Sequence, residues 1–416
     1  MEHNLDELII CQHCSKLQKK VKLPKGKVAK CIECKSLLYR NINDSINRGL
    51  AFSITALILF IVANLFPIIK VSITGVENPL TIIEMIYTLF NEGFIVVGSI
   101  LIVVLVIAPL SVLLFFILFV IFSYFKIFKK FTRVILSFLI ISRDWEMVDI
   151  FAVSILVALV KLFGYAEVHF GLAAIALLLF VLVDIVFIKS IKSVELWDYY
   201  CAKFNSNKSS NIEKCICSED KLISCEICES VNLKRNKDIY CRTCNNKISI
   251  NSDASFHKAW AMLITAMVFY VIANSYPILV INKFGHTEGS TIIGGAIALW
   301  EEGSYPISII IFLASVFVPI LKFILILYIL INYKKPQVGS KKVDQVKLHH
   351  ITEVIGPWSM IDVFVVSILA GVVHMSSVKI TAGIGATAFV LMVFFTMLSA
   401  MSIDIRLIKE RKYGNK

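Results

Sequence analysis

Charge is scarce in this sequence. Only 17% of the 416 residues are Asp, Glu, Lys or Arg, against 57% hydrophobic, which excludes a soluble cytosolic enzyme. Familiar catalytic parts are missing too. No Gly-rich phosphate loop, no H-E-x-x-H pair and no nucleophile motif occurs, so the chain is not expected to be an enzyme and does not hydrolyse ATP itself. The first residues, MEHNLDELII, carry acid instead of a basic segment ahead of an apolar one; no cleavable signal peptide is expected, and the N-terminus is expected in the cytosol. The net charge is +12, yet the Lys and Arg lie between apolar runs and form no single patch, so nucleic acid is not the expected partner.

What is abundant is long apolar sequence. Uncharged runs of 21 residues (49–69) and 33 residues (93–125) are each long enough for a hydrocarbon core of roughly 30 Å at about 1.5 Å per residue. Stretches 150–166 and 168–188 predict a tight helical hairpin turning near Glu167, and further spans follow at 259–282, 303–333, 363–378 and 380–403. That makes eight helices. The connection at 126–147 carries Lys126, Lys129, Lys130, Arg133 and Arg143, and that at 334–358 carries five lysines, which places both in the cytosol. Segments 70–92 and 283–302 are richer in Glu and face the opposite side. Both termini and every cysteine then fall in the reducing cytosol.

The two halves repeat. IVANLFPI at 61–68 matches VIANSYPI at 271–278 with an offset of 210, which also aligns Thr81 with Thr291 and Pro109 with Pro319. Trp145 to Asp149 matches Trp358 to Asp362 at offset 213, and Gly171 matches Gly383 at offset 212. With four spans in each half, an even number, the repeats are parallel, and a path between them is the natural place for a ligand. The expected domains are 1–45, 46–200, 201–255 and 256–416.

Cysteines precede each half. Cys11, Cys14, Cys31 and Cys34 form C-x2-C-x16-C-x2-C, and Cys225, Cys228, Cys241 and Cys244 form C-x2-C-x12-C-x2-C. Four thiolates in two such pairs surround one tetrahedral Zn²⁺, so two Zn²⁺ per chain are expected, in structural ribbons or alternatively in redox or metal sensors. Cys201, Cys215 and Cys217 have no counterparts in the first half and read as cytosolic thiols.

Duplicated cytosolic four-cysteine ribbons, each followed by four spans with A-N-x-x-P in the first, resemble the paraquat-inducible protein A family. The resemblance covers nearly the whole chain. It implies an α-helical integral membrane protein of the bacterial inner membrane, built as two parallel repeats of four transmembrane helices, each preceded by a zinc ribbon. It further implies a membrane-anchored MCE-domain partner that forms a tunnel across the periplasm, and phospholipid or another lipid loaded or unloaded at the tunnel base. The alternatives are a passive anchor or gate for that tunnel, or a zinc-ribbon membrane stress sensor.

Ionisable residues inside spans are costly and mark function by default. Asp184 lies within AIALLLFVLVDIVFI, and offset 212 makes Thr396 its equivalent, with Ser399 about one turn further along. If the fourth helices approach the axis between the repeats, Asp184 meets Thr396. The resemblance implies a polar relay that couples proton movement to transport, a role carried to Asp184, Thr396 and Ser399. The lysine expected beside the acid is absent, since Val181, Leu182 and Val183 precede it. The alternative for Asp184 is snorkelling to the cytosolic interface beside Lys189. Lys161 is expected to snorkel outward. Asp149 and Asp362 complement the starts of the third helices, with proton handling as their other reading. Asn64 and Asn274 satisfy backbone groups freed by Pro67 and Pro277. Lys322 and His374 are expected at the interface without a role.

Overall fold

The computed structural model describes residues 3–11, 16–21, 23–24, 27–73, 76–162, 167–204, 214–215, 222–233, 239–248, 252–283, 286–301, 303, 305–332, 345–372 and 378–403. The fold is mostly helical, and its element order in the first half returns in the second. Helix α1 (Ile42–Leu65) leads into a β-hairpin (Ile69–Ile73, Val76–Leu80) and a short amphipathic helix α2 (Ile82–Asn91). A long span follows, α3 (Ile95–Ile102) joined through a π-helical turn to α4 (Ala108–Phe125). Next come α5 (Lys129–Arg143), α6 (Val148–Leu162), a strand (Glu167–Phe170), α7 (Leu172–Ser190) and α8 (Ser193–Lys203). The second half runs α9 (Ser252–Ser275), a hairpin, α10 (Ile292–Glu301), α11 (Tyr305–Phe312), a π-helical turn, α12 (Val318–Asn332), α13 (Gln345–Ile355), α14 (Ile361–Val372), a strand and α15 (Ile384–Met401).

Among the described residues seven helical stretches are long and apolar enough to cross a membrane: Ser45–Leu65, Ile95–Phe125, Leu172–Ser190, Ala254–Ser275, Ser315–Asn332, Ile351–Gly371 and Ile384–Met401. Helix α6, the eighth expected crossing, has only 15 residues, about 22 Å of helix. The turn expected near Glu167 is a strand instead, pairing antiparallel with Ile69–Ile73 to complete a three-stranded sheet. Val378–Ala382 does the same for Leu279–Lys283 in the second half. Apolar β-branched sequence suits strand and buried helix alike, so the expected spans at 259–282, 363–378 and 380–403 overran into these strands.

Proline shapes the long spans. Pro109 and Pro319 lack an N–H and crowd the carbonyl four residues back, and each helix widens by a π turn just before its proline. The wide turn is closed by Ala108 N–H donating to Val103 O and Val318 N–H donating to Leu313 O. Helix α5, expected as a connection, is amphipathic. Its Ile135, Leu136 and Leu139 are buried, whereas Phe131, Val134 and Phe138 are exposed beside Lys129 and Lys130, the pattern of a helix lying in a membrane interface.

Two sides emerge, one bearing the three-stranded sheets and the other bearing the cysteine ribbons with α5, α8 and α13. The ribbons join each other: His3–Asn4 pairs with Lys214–Cys215, and Leu5, Leu222 and Val231 form a small shared core. The first ribbon is fixed to α8 by Lys20 on Asp198 and by the Arg40 N–H donating to Glu195 at 2.6 Å. Between the halves, α14 packs on α6 and α2. Phe151 and Phe364, equivalent at offset 213, meet edge to face with ring centroids 5.5 Å apart. The third helices of the halves thus meet, where the fourth had been expected to.

Candidate functional site

Each described knuckle has the same backbone. Cys31 N–H donates to Ser36 O and Lys35 N–H to Cys31 O; Cys225 with Ser230 and Glu229, and Cys241 with Asn246 and Asn245, repeat that pair of bonds at 2.9 to 3.0 Å. Lys35, Glu229 and Asn245 take left-handed φ values of 57°, 57° and 61°, which turns each cysteine pair inward between two short strands. Cys225, Cys228, Cys241 and Cys244 are buried, and their sulfurs lie within 4.8 Å of one another. The Cys225–Cys244 and Cys228–Cys241 separations are 3.5 and 3.3 Å. A tetrahedral metal with M–S bonds of about 2.3 Å has S···S edges of about 3.8 Å, so the four residues fit a closed metal shell with small adjustment.

Ser230 Oγ lies 3.0 Å from Cys228 Sγ and 3.1 Å from Cys241 Sγ, and Asn232 reaches Cys241 at 3.6 Å. Such outer contacts orient ligands. Cys11, Cys31 and Cys34 form a second cluster of the same kind, with Ser36 Oγ on Cys11 and Cys34 and Gln18 Nε2 donating to Cys31 at 2.8 Å. Cys14 lies outside the described residues, as does Cys217. The sulfur-only donor set in both clusters suits a soft or borderline ion.

In the helical body Asp184 is buried at 7% exposure on α7, and its Oδ1 has no hydrogen-bond partner among the described residues. Its electrostatic neighbours come from the turn leading into α6. Asp184, Asp149 and Glu146 act on one another across this corner. Among the described residues neither carboxylate oxygen of Glu146 has a hydrogen-bond partner, and burial followed by the Asp184 and Asp149 carboxyl groups holds the Glu146 carboxyl well above the usual carboxylate range. Asp149 Oδ1 accepts the Ile150 N–H at 2.9 Å at the start of α6. Trp145, beside Glu146, packs on Phe394 of α15 at 5.7 Å and so sets this corner against the other half.

Thr396 is buried but donates to Val393 O at 2.7 Å, and Ser399 donates to Ala259 O of α9 at 2.9 Å. The structure therefore gathers Asp184 with Asp149 and Glu146, and leaves Thr396 and Ser399 on carbonyl acceptors of their own half. Asp362, in the first turn of α14, lines a void of about 10 Å³ with Leu89, Val97 and Phe389 between the halves. Asn64 and Asn274 donate to Phe60 O and Tyr270 O, each at 2.8 Å, in the last turns of α1 and α9. The Lys161 side chain and His374 lie outside the described residues.

Lys322 is a correction. Expected at the interface, it is only 1% exposed on α12, and its Nζ donates to Gly356 O at 3.4 Å. Glu146 and His349 were missed by sequence reasoning altogether. His349 of α13 is 2% exposed, with Nε2 3.2 Å from Ala400 O, one turn past Thr396. The only sequence signal for Glu146 was its place three residues before Asp149, where the second half has Ser359.

The model of the family described as paraquat-inducible protein A matches the chain twice, at residues 46–200 and 256–412. The chain belongs to the paraquat-inducible protein A family. It is similar to the intermembrane transport protein PqiA of Escherichia coli K12, 31% identical over 99% of this chain and 97% of that protein. It also resembles a probable intermembrane transport protein of Haemophilus influenzae, at 26% identity over 93% of this chain and 91% of the relative. The lipophilic envelope-spanning tunnel protein A of E. coli K12 is 25% identical over 96% of this chain and 90% of its own length. No solved structure matches. Each family match begins after one of the cysteine clusters and covers the spans that follow it.

Proposed function

We propose that this chain is an inner-membrane component of an intermembrane lipid transport system, working beneath a membrane-anchored MCE-domain tunnel protein and loading or unloading phospholipid or another lipid at its base. The observation that carries the reading is similarity along almost the full chain to proteins named for intermembrane transport. The proposed architecture is two parallel repeats of four crossings, with α6 as the short crossing of the first half. Both termini and both ribbons face the cytosol, each ribbon closed by one Zn²⁺. Two family matches of nearly equal extent and the meeting of Phe151 with Phe364 support the repeat.

The energised form of the proposal gives Asp184 the titrating role. A lone charged carboxylate at a helix centre is penalised by about 2.5 to 3.5 kcal/mol, and among the described residues Asp184 has two further carboxyl groups beside it and no cation among its electrostatic neighbours. Three acids at one corner hold fewer than three charges, and such a group takes up and releases protons as its surroundings open. Thr396 and Ser399 join the relay by turning from their present carbonyl acceptors. Native mass spectrometry of the complex purified from membranes tests the whole reading: a bound lipid, an MCE-domain partner and two zinc ions are expected. A chain that retains none of the three sinks it.

A further inference from the structure

On the ribbon side of the first half, a cleft of about 700 Å³ opens where the first ribbon meets the ends of two spans. Four cations line it: Lys27 and Arg40 from the ribbon, Arg48 from the first turns of α1, and Lys189 from the last turn of α7. Among the described residues Lys27, Arg48 and Lys189 make no ion pair. Glu195, buried beneath, accepts the Arg40 N–H and offsets part of that one charge. Phe52 and Val186, about one turn deeper on α1 and α7, make the wall apolar on the hydrocarbon side.

We propose that this cleft binds the phosphate of an anionic glycerophospholipid from the leaflet on the ribbon side, with the acyl chains running down over Phe52 and Val186. Three features select this occupant. Arg48 and Lys189 sit near the ends of membrane-spanning helices with Lys27 and Arg40 of the ribbon beside them, the depth at which basic pockets between helices hold anionic headgroups. Among the described residues three of the four, Lys27, Arg48 and Lys189, carry no ion pair. The apolar wall continues from the polar mouth toward the bilayer, which a free anion would not use. The second half contains an internal comparison. A cleft of about 410 Å³ occupies the equivalent place, with Ser255, Lys258, Leu398 and Ser402 for Ser45, Arg48, Val186 and Ser190. There Met401 replaces Lys189, and Glu226 lines the wall with Lys247 and Lys258. The fold builds the recess twice, with four cations and no acid among the described lining of the first, and two cations with one acid in the second.

The site is separate from the carboxylate corner and rests only on the membrane placement, so its test is read as binding and not as transport. Full-length protein is stripped of lipid in neutral detergent and titrated with phosphatidylglycerol or phosphatidylcholine under native mass spectrometry. Phosphatidylglycerol should be retained at least about fivefold more strongly. Arg48→Gln with Lys189→Gln should weaken phosphatidylglycerol roughly tenfold while leaving phosphatidylcholine, metal content and thermal unfolding unchanged. Lys258→Gln in the second cleft should have little effect. Lys27→Gln, an exposed substitution outside the helices, keeps the test open if the double variant folds poorly, and it should weaken phosphatidylglycerol by severalfold. Equal retention of the two lipids, or undiminished phosphatidylglycerol binding in both variants, overturns the proposal. Displacement of the lipid by inorganic phosphate at matching concentration overturns it too, in favour of a free-anion site.

Discussion

Asp184 and Glu146 are both acids with at least one buried oxygen that no described residue hydrogen-bonds, and they differ in what each substitution should do. Asp184→Asn keeps shape and removes the titratable group. It should leave folding, metal content and partner binding intact and abolish function in complementation of a strain lacking the protein; full function with Asn would leave a passive anchor as the better reading. Glu146 yields a stability prediction with a definite sign. A carboxyl held above its ordinary value in the folded state favours the protonated form. Folding is therefore penalised as pH rises from the unfolded value, about 4.3, through the higher folded one. Glu146→Gln should raise the thermal midpoint near pH 7 to 8 and leave it unchanged near pH 4; a variant less stable than the parent at both would contradict the environment described.

Those neighbours were not legible in the sequence. Asp184 stood out because a lone acid interrupts an apolar run, but which groups face it depends on how the turn before α6 packs against α7, and no periodicity reports that. Lys322 misled for a related reason. A lysine within a span ordinarily snorkels toward the interface, yet here the turn between α13 and α14 supplies the Gly356 carbonyl to its buried Nζ. The two cysteine clusters were legible because spacing within a knuckle is set by local backbone geometry.

At the scale of elements, the glycine matched between halves acquires a reason. A Cβ on Gly171 would stand 2.0 Å from Pro67 O, and one on Gly383 would stand 2.0 Å from Pro277 O. These glycines dock the start of α7 and α15 against the hairpin, with their N–H groups donating to Ile68 O and Ile278 O. Gly171→Ala should cost about 1 to 3 kcal/mol through forced backbone movement, read as a lower unfolding midpoint in detergent. An unchanged midpoint would show that the close approach is absent. The ribbons make a second element-scale prediction. Cys241 touches Cys228, Ser230 and Asn232, so Cys241→Ser removes one of the four thiols of the proposed zinc site. Metal should fall from two ions per chain to one, and abundance should drop, because binding supplies the folding free energy of such small modules. Elemental analysis finding less than one zinc in the parent protein, or only iron, would reject the assignment.

The whole molecule was half legible. Long apolar runs, the offset near 210 and the paired knuckles all survive in the fold as helices, as repeated element order and as two sulfur clusters. Crossing ends and the inter-half contact did not, since strands and helices share apolar sequence here and the axis is chosen by packing. The same geometry makes orientation testable with few substitutions. The cysteine clusters lie on the ribbon side, so a membrane-impermeant thiol reagent added to cells with the outer membrane opened should find no native target if that side is cytosolic. Asn91, at the end of α2, and Glu301, at the end of α10, are exposed on the opposite side, whereas Lys130 is exposed on α5 beside the ribbons. Asn91→Cys and Glu301→Cys should each be labelled from outside, and Lys130→Cys only after the inner membrane is permeabilised. Equal labelling of Asn91→Cys and Glu301→Cys tests the parallel repeat as well, because both residues occupy the same place in their halves. Labelling of one without the other would mean an odd number of crossings between them, so that the short helix α6 fails to span and the two halves lie antiparallel.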